Sequence, residues 1–338
     1  MAVYTQIDNP ELYFQCKTYG FTTGAQSITF DNTDTSMQPD MVWIKSRSNA
    51  GYNHVLNDST RGVTKFLRPN LTSIEATITD ALTSFDSNGF TLGADGTNGE
   101  HNDHNQSQNY IAWCWKESAD AGFDIVTYTG DGSNRTISHS LNSPPKFYMI
   151  KDRGHTHNWR GFHASLGADK NISWEINAGE QTGSNYWQDT APTSSVFSLG
   201  NQNETNQSSH TFVNYLWSEK QGFSKVGKFI GSGNVDGTFV PLTFRPSWVM
   251  IKRSNASVNW YIFDNKRDPF NVMSKELNSN NNEAEATELG SNPIDFLSNG
   301  FKLRVADSFI NGTGDPYIFM AFAEAPLVNS NGVPGNAR

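Results

Sequence analysis

Two cysteines are too few for a disulfide framework, so Cys16 and Cys114 do not hold this chain of 338 residues together. Cys114 lies between Trp113 and Trp115 and reads as a buried free thiol. Charge is scarce as well: 17% of residues are Asp, Glu, Lys or Arg, and the net charge is −9. The basic residues are scattered, which excludes the phosphate-neutralising footprint of a nucleic-acid binder and the basic block that seeks anionic lipid. Long apolar runs are missing too. The richest late stretch, YIFMAFAEAPLV (317–328), contains Glu324 and falls well short of the roughly 20 residues that span a bilayer. The start, MAVYTQIDNP, has neither the basic opening nor the apolar stretch of a secretory signal, so we expect synthesis in the cytoplasm and no membrane insertion. Helical periodicity is faint; NNNEAEATELG (280–290) is the one place where a short helix is expected. There is no Gly-x-Ser-x-Gly elbow, and a thiol set in an aromatic strand, as Cys114 is, reads as inert. We expect no enzymatic activity and no cofactor, although 34 acidic residues leave room for a hidden carboxylate pair of the glycosidase kind.

What is abundant is Asn, Ser, Thr and Gly, with 12% aromatic residues to build a core. Amides and hydroxyls, more than charge, keep such a surface in water. The aromatic residues recur in order. PDMVWIKSR (39–47), PKFYMIKDR (145–153) and PSWVMIKRS (246–254) match one another, and each is followed by NHVLND (53–58), NWRGFH (158–163) or NWYIFD (259–264). Each copy closes with YIAWCWKE (110–117), FVNYLWSE (212–219) or YIFMAFAE (317–324). Landmarks that recur about 100 residues apart mark an internal repeat. We therefore expect an N-terminal arm (1–16), three β units (17–120, 121–224 and 225–326) and a C-terminal tail (327–338).

Within each unit the pattern is β. Ile111, Trp113 and Trp115 alternate with Ala112 and Cys114, which is the period of two that a strand requires. Both faces of this closing strand are apolar, so it is expected to be central and covered on both sides. Pro39, Pro145 and Pro246 stand at or before the start of the IK strands, where a missing N–H does no harm. Short strands at regular turn spacing give an all-β expectation of three tandem antiparallel sandwiches, jelly-roll or lectin-like. In that setting the repeated IK lines are scaffold.

Several strings carry a resemblance. QPDMVWIKSR, LTSFDSNGFTLG, YIAWCWK, APTSSVFSLG, FRPSWVMIKR, DFLSNGFKLR and the ending YIFMAFAEAPLVNSNGVPGNAR resemble tail-fibre-like, minor virion structural proteins of tailed bacteriophages, marine ones especially. The resemblance covers nearly the whole chain. It implies an all-β, lectin-like fold in the virion and a structural or host-attachment role as a tail fibre or tail-associated component. Other virion proteins would be partners, a homo-oligomer such as a trimer is expected, and a host surface glycan is a further candidate partner. A capsid decoration or other head or tail structural role, and a glycan-binding or glycan-cleaving module, are the alternatives. The resemblance carries no catalytic residue over.

Individual residues add candidates. GADGTNGEHNDHNQS (93–107) gathers Asp95, Glu100, His101, Asp103 and His104, a possible ligand set. It lacks the carboxylate order of a calcium loop and does not recur in the other copies, so we expect a solvated loop and no resident metal. Trp174, Tyr186, Trp187 and Asp189 are not matched in the other copies and are the ligand or interface candidates. Lys45, Arg47, Lys151, Arg153, Lys252 and Arg253 recur at the ends of the IK strands and are candidates for ion pairs between repeats. Asp58 and Asp264, each followed three residues later by Arg61 or Arg267, read as local ion pairs, with His163 at the same place in copy two.

Overall fold

The computed structural model describes residues 4–31, 35–96, 99–102, 108–287, 289 and 293–335. It is 42% strand and 3% helix, with every sheet antiparallel. Three large sheets share one strand order. The first runs Phe14–Gly20, Asn109–Trp115, Met41–Ser46, Val55–Asp58, Lys65–Leu67 and Ala76–Thr77. The second runs Phe123–Thr129, Thr211–Trp217, Phe147–Asp152, Arg160–His163, Lys170–Ser173 and Gln181–Thr182. The third runs Ser224–Ile230, Pro316–Pro326, Phe244–Arg253, Trp260–Asp264 and Leu277–Asn278. In each, the closing strand sits between the opening strand and the IK strand.

Strand alternation decides where each side chain goes. Met41, Trp43, Ile111, Trp113 and Trp115 face one core, while Val42, Ile44, Tyr110, Ala112 and Cys114 face another with Ile28, Phe90 and Leu92 of a small three-stranded sheet. The second segment repeats the division: Phe147, Met149, Tyr215 and Trp217 point one way, and Tyr148 and Ile150 meet Phe197 and Leu199 of a two-stranded sheet on the other side. Each of these two segments is thus a two-layer sandwich.

The inner faces of all three large sheets bury one shared core. Trp115 lies 6.2 Å from Trp217 and 5.8 Å from Trp248, ring centre to ring centre. Trp43 meets Trp174 at 4.9 Å, and Phe147 meets Trp260 at 6.4 Å. The segments therefore close on one another around an aromatic centre and do not form a string of independent sandwiches. The first large sheet opens at Phe14, inside the stretch read as an arm, because Phe14 packs between Trp115 and Phe322 at 4.8 and 4.9 Å.

Two local expectations change. The described part of 280–290 holds no helix: Glu276 and Ala286 form an isolated bridge there. Helix appears instead as single turns at Ser184–Trp187 and Asn203–Asn206. Both cysteines are buried and free, and burial pushes both thiols well up. No helix among the described residues is long and apolar enough to cross a membrane.

Candidate functional site

The ends of the three IK strands are equivalent by register. Ser46 pairs with Tyr110, Asp152 with Phe212 and Arg253 with Tyr317. At each, the lysine just before is fully buried, although a strand-end lysine reads as solvated. Its ammonium ties down the loop that follows. Lys45 Nζ donates to the carbonyls of Ser46 (2.8 Å) and Asn49 (3.4 Å). Lys151 Nζ donates to Thr72, His155 and His157 (3.1, 3.0 and 2.8 Å), and Lys252 Nζ to Arg253 and Ala256 (2.7 and 2.9 Å). These lysines are carbonyl clamps and not the ion-pair partners expected. Burial lowers them from the ordinary lysine range to about 7, 8 and 7.

That shift has a sign. Between the folded value near 7 and the unfolded value near 10.4, the unfolded chain holds the extra proton, so the stability tied to Lys252 rises with pH across that window; it is lost as pH falls from about 10.4 to 7 and is level below that. Urea unfolding of wild type and Lys252→Met at pH 7 and pH 9.5 is expected to show wild type gaining on the variant by roughly a few kcal/mol. Parallel pH profiles would contradict the assignment.

The arginines divide. Arg47 makes a two-pronged pair with Glu285 (2.9 Å for each prong), and Arg153 makes one with Glu75 (2.8 and 3.0 Å); both pairs join different segments as expected. Arg253 pairs with Asp315 (2.6 Å) inside its own segment. It stands one residue earlier than its counterparts, and a slip of one residue sends a strand side chain to the opposite face. Glu75 and Glu285 were missed in the sequence, yet together with Glu180 they are spaced evenly. The backbone N–H groups of Glu75, Glu180 and Glu285 donate to Arg153 O (2.8 Å), Ser254 O (2.6 Å) and Arg47 O (2.8 Å), linking the segments in a ring. Gly179 permits the second of these, since a Cβ there would lie 2.9 Å from Ser254 O and Ala256 N. A second ring runs beneath: His54 Nε2 meets Asn278 O at 3.0 Å, while Trp159 and Trp260 donate to Leu71 O (3.2 Å) and Ser173 O (3.0 Å).

The expected Asp–Arg locks are present and deeper than local. Arg61 Nε meets Asp58 and Arg267 Nε meets Asp264, each at 2.5 Å with both side chains fully buried. Each carboxylate also reaches a neighbouring segment: Tyr215 donates to Asp58 (2.6 Å) and Trp113 to Asp264 (3.0 Å).

The loop ligand candidates serve the fold. Glu100 is gripped by Arg68 (2.7–3.0 Å) and Asn53 (2.8 Å). His101 is wedged between Asp95 (3.3 Å) and Asn57 (2.9 Å). With their side-chain partners inside the protein, these three do not converge on an ion; Asp103 and His104 lie outside the described residues. The aromatic candidates are also placed differently. Trp174 and Trp187 are fully buried, bonded to Ser279 Oγ (2.9 Å) and Lys170 O (2.9 Å), so neither indole offers a face to a sugar. Tyr186 is half-buried against Arg160, its hydroxyl on Glu204 (2.5 Å); Asp189 is exposed.

One carboxyl pair meets the glycosidase expectation only formally. Glu117 is raised to about 8, first by burial and then by its hydrogen bond with Asp124. Carboxyls in hydrogen-bond contact sit closer than the roughly 5 Å that separates a glycosidase's acid and nucleophile. A cavity of about 590 Å³ is an open groove elsewhere, lined by Thr5, Asp8, Tyr13, Asp120 and Lys220.

The strand-end position that differs most is in the second segment. Where the first has Ser46 bonded to Gln108 (3.3 Å) and the third has Arg253 with Asp315, the second sets Asp152 against His210 (2.6 Å), His157 (3.1 Å) and His155 (3.3 Å). The Asp-x-x-His-x-His run was visible in the sequence and overlooked; His210, 58 residues away, was not predictable.

A family match covers residues 9–326, nearly the whole folded body, under the description "Domain of unknown function (DUF7483)". The chain belongs to this family. No curated protein matches it. The DUF7483 match spans all three large sheets, so the family is defined by the closed body and not by one segment of it.

Proposed function

We propose that this DUF7483 protein is a non-enzymatic structural component of a bacteriophage virion, a tail fibre or tail-associated part that serves host attachment. One observation carries the reading: three segments of one strand order hold equivalent strand ends on a common core, while the last residue of each strand and its partner differ, Ser46 with Gln108, Asp152 with three histidines and Arg253 with Asp315. A fixed scaffold with divergent loops is how binding surfaces are built. The amide- and hydroxyl-rich composition and the resemblance of the repeated strings to phage virion proteins support the same reading. The threefold closure is completed within one chain, so a homo-oligomer, trimer or otherwise, would act by multiplying weak contacts and not by finishing the core.

Antibody-gold labelling of intact particles tests it. Label on the tail, with purified protein slowing phage adsorption to host cells, is the expected result. Label on the head would replace attachment by a decoration role, and absence from washed particles would overturn the virion reading altogether.

A further inference from the structure

We propose that Asp152, His155 and His210 bind one divalent transition-metal ion of the zinc class, with His157 orienting the carboxylate, so that the ion staples the loop 153–157 to the start of the closing strand. Asp152, His155 and His210 each place a ligand atom within 4.8 Å of the others, and no other described group of His, Cys, Asp or Glu converges in this way. Imidazole nitrogen with carboxylate oxygen is the donor set such ions prefer.

Crowding around the carboxylate is the stronger reason. Asp152 faces five nitrogen atoms: Gly154 N (2.9 Å), His155 N (3.2 Å), and Nδ1 of His155, His157 and His210 (3.3, 3.1 and 2.6 Å). A carboxylate has about four lone-pair sites. Three imidazoles aimed at one buried carboxylate would have to donate through every Nδ1, whereas one divalent cation satisfies carboxylate and imidazole lone pairs together. The spacings suit it, because ligands bound at 2.0–2.1 Å around a tetrahedral ion lie roughly 3.3 Å apart. The adjustment required falls on His155, whose ring stacks on His210 at 3.5 Å and whose side chain is 51% exposed. The loop itself is held ready, since Lys151 Nζ grips the carbonyls of both His155 and His157. His157 contacts the ligand carboxylate from the side, as outer hydrogen bonds commonly do in metal sites. The equivalent positions in the first and third segments, Ser46 with Gln108 and Arg253 with Asp315, have no imidazole and would not bind.

The full chain, stripped with chelator, is titrated with Zn²⁺ by calorimetry and with Co²⁺ by visible absorption. We expect one saturable site, a raised melting temperature with metal, and at least tenfold weaker binding in His155→Ala, a half-exposed position whose loss leaves the fold intact. His139→Ala and His104→Ala serve as controls and should bind as wild type. Absence of saturable binding, binding unaffected by His155→Ala, or binding lost in His104→Ala would each overturn the assignment.

Discussion

Asp264→Ala is expected to lower the unfolding free energy by about 3–5 kcal/mol, because it strands a buried guanidinium. Arg267 Nε has its carboxylate partner at 2.5 Å with both side chains at zero exposure, and the same carboxylate accepts from Trp113 Nε1 (3.0 Å) and the Arg267 N–H (2.9 Å). The guanidinium would keep Ile262 O (2.8 Å) and a long contact to Glu285 (3.4 Å), neither of which replaces a buried counter-charge. Asp58→Ala repeats the case with Arg61 and Tyr215. His163→Ala, at the same place in the second segment, should cost less. Burial lowers that imidazole to about 4, so it is neutral and its removal strands no charge. Asp31→Ala, which breaks the surface pair with Lys17 (61% exposed on the acid side), should cost under about 1 kcal/mol. Urea midpoints for the four variants check the order; an Asp264→Ala loss as small as that of Asp31→Ala would refute the buried-pair account.

The second large effect concerns cooperativity. Trp115 is 1% exposed and touches rings from all three segments: Phe14, Phe123 and Trp217, Trp248 and Phe322. Trp115→Ala opens a cavity at the centre and is expected to cost about 3–5 kcal/mol. Because the core is common, the loss should lower one transition for the whole chain. Calorimetry that showed the first segment melting early, with the other two unchanged, would mean that the segments are stabilised separately.

Much of the fold was legible because its causes are local. Alternation at Ile111, Trp113 and Trp115 gave the strand and named the side chains that line the shared core. Asp58 with Arg61 and Asp264 with Arg267 were readable as turn locks, since three residues fix both partners in reach of each other. Other readings failed where burial decided the role. Trp187 in a polar run read as a ligand or interface candidate, but the single turn Ser184–Trp187 folds it inward. Lys45, Lys151 and Lys252 read as ion-pair partners between repeats, but the loops after them turn back and offer carbonyls. Arg253 looked equivalent to Arg47 until its one-residue offset put it on the other face of the strand.

By itself, then, the sequence determined the β character, the threefold order of strands and the residues with apolar faces, because hydrophobic alternation and turn chemistry act between near neighbours. Only the tertiary structure decided that the three inner faces meet in one core, that Glu75, Glu180 and Glu285 close the ring, and that His210 joins Asp152 and the His155–His157 loop. Those contacts bring together residues dozens to hundreds of positions apart. Nothing in their local patterns records the pairing; it follows from which faces are left to bury once each sandwich has formed.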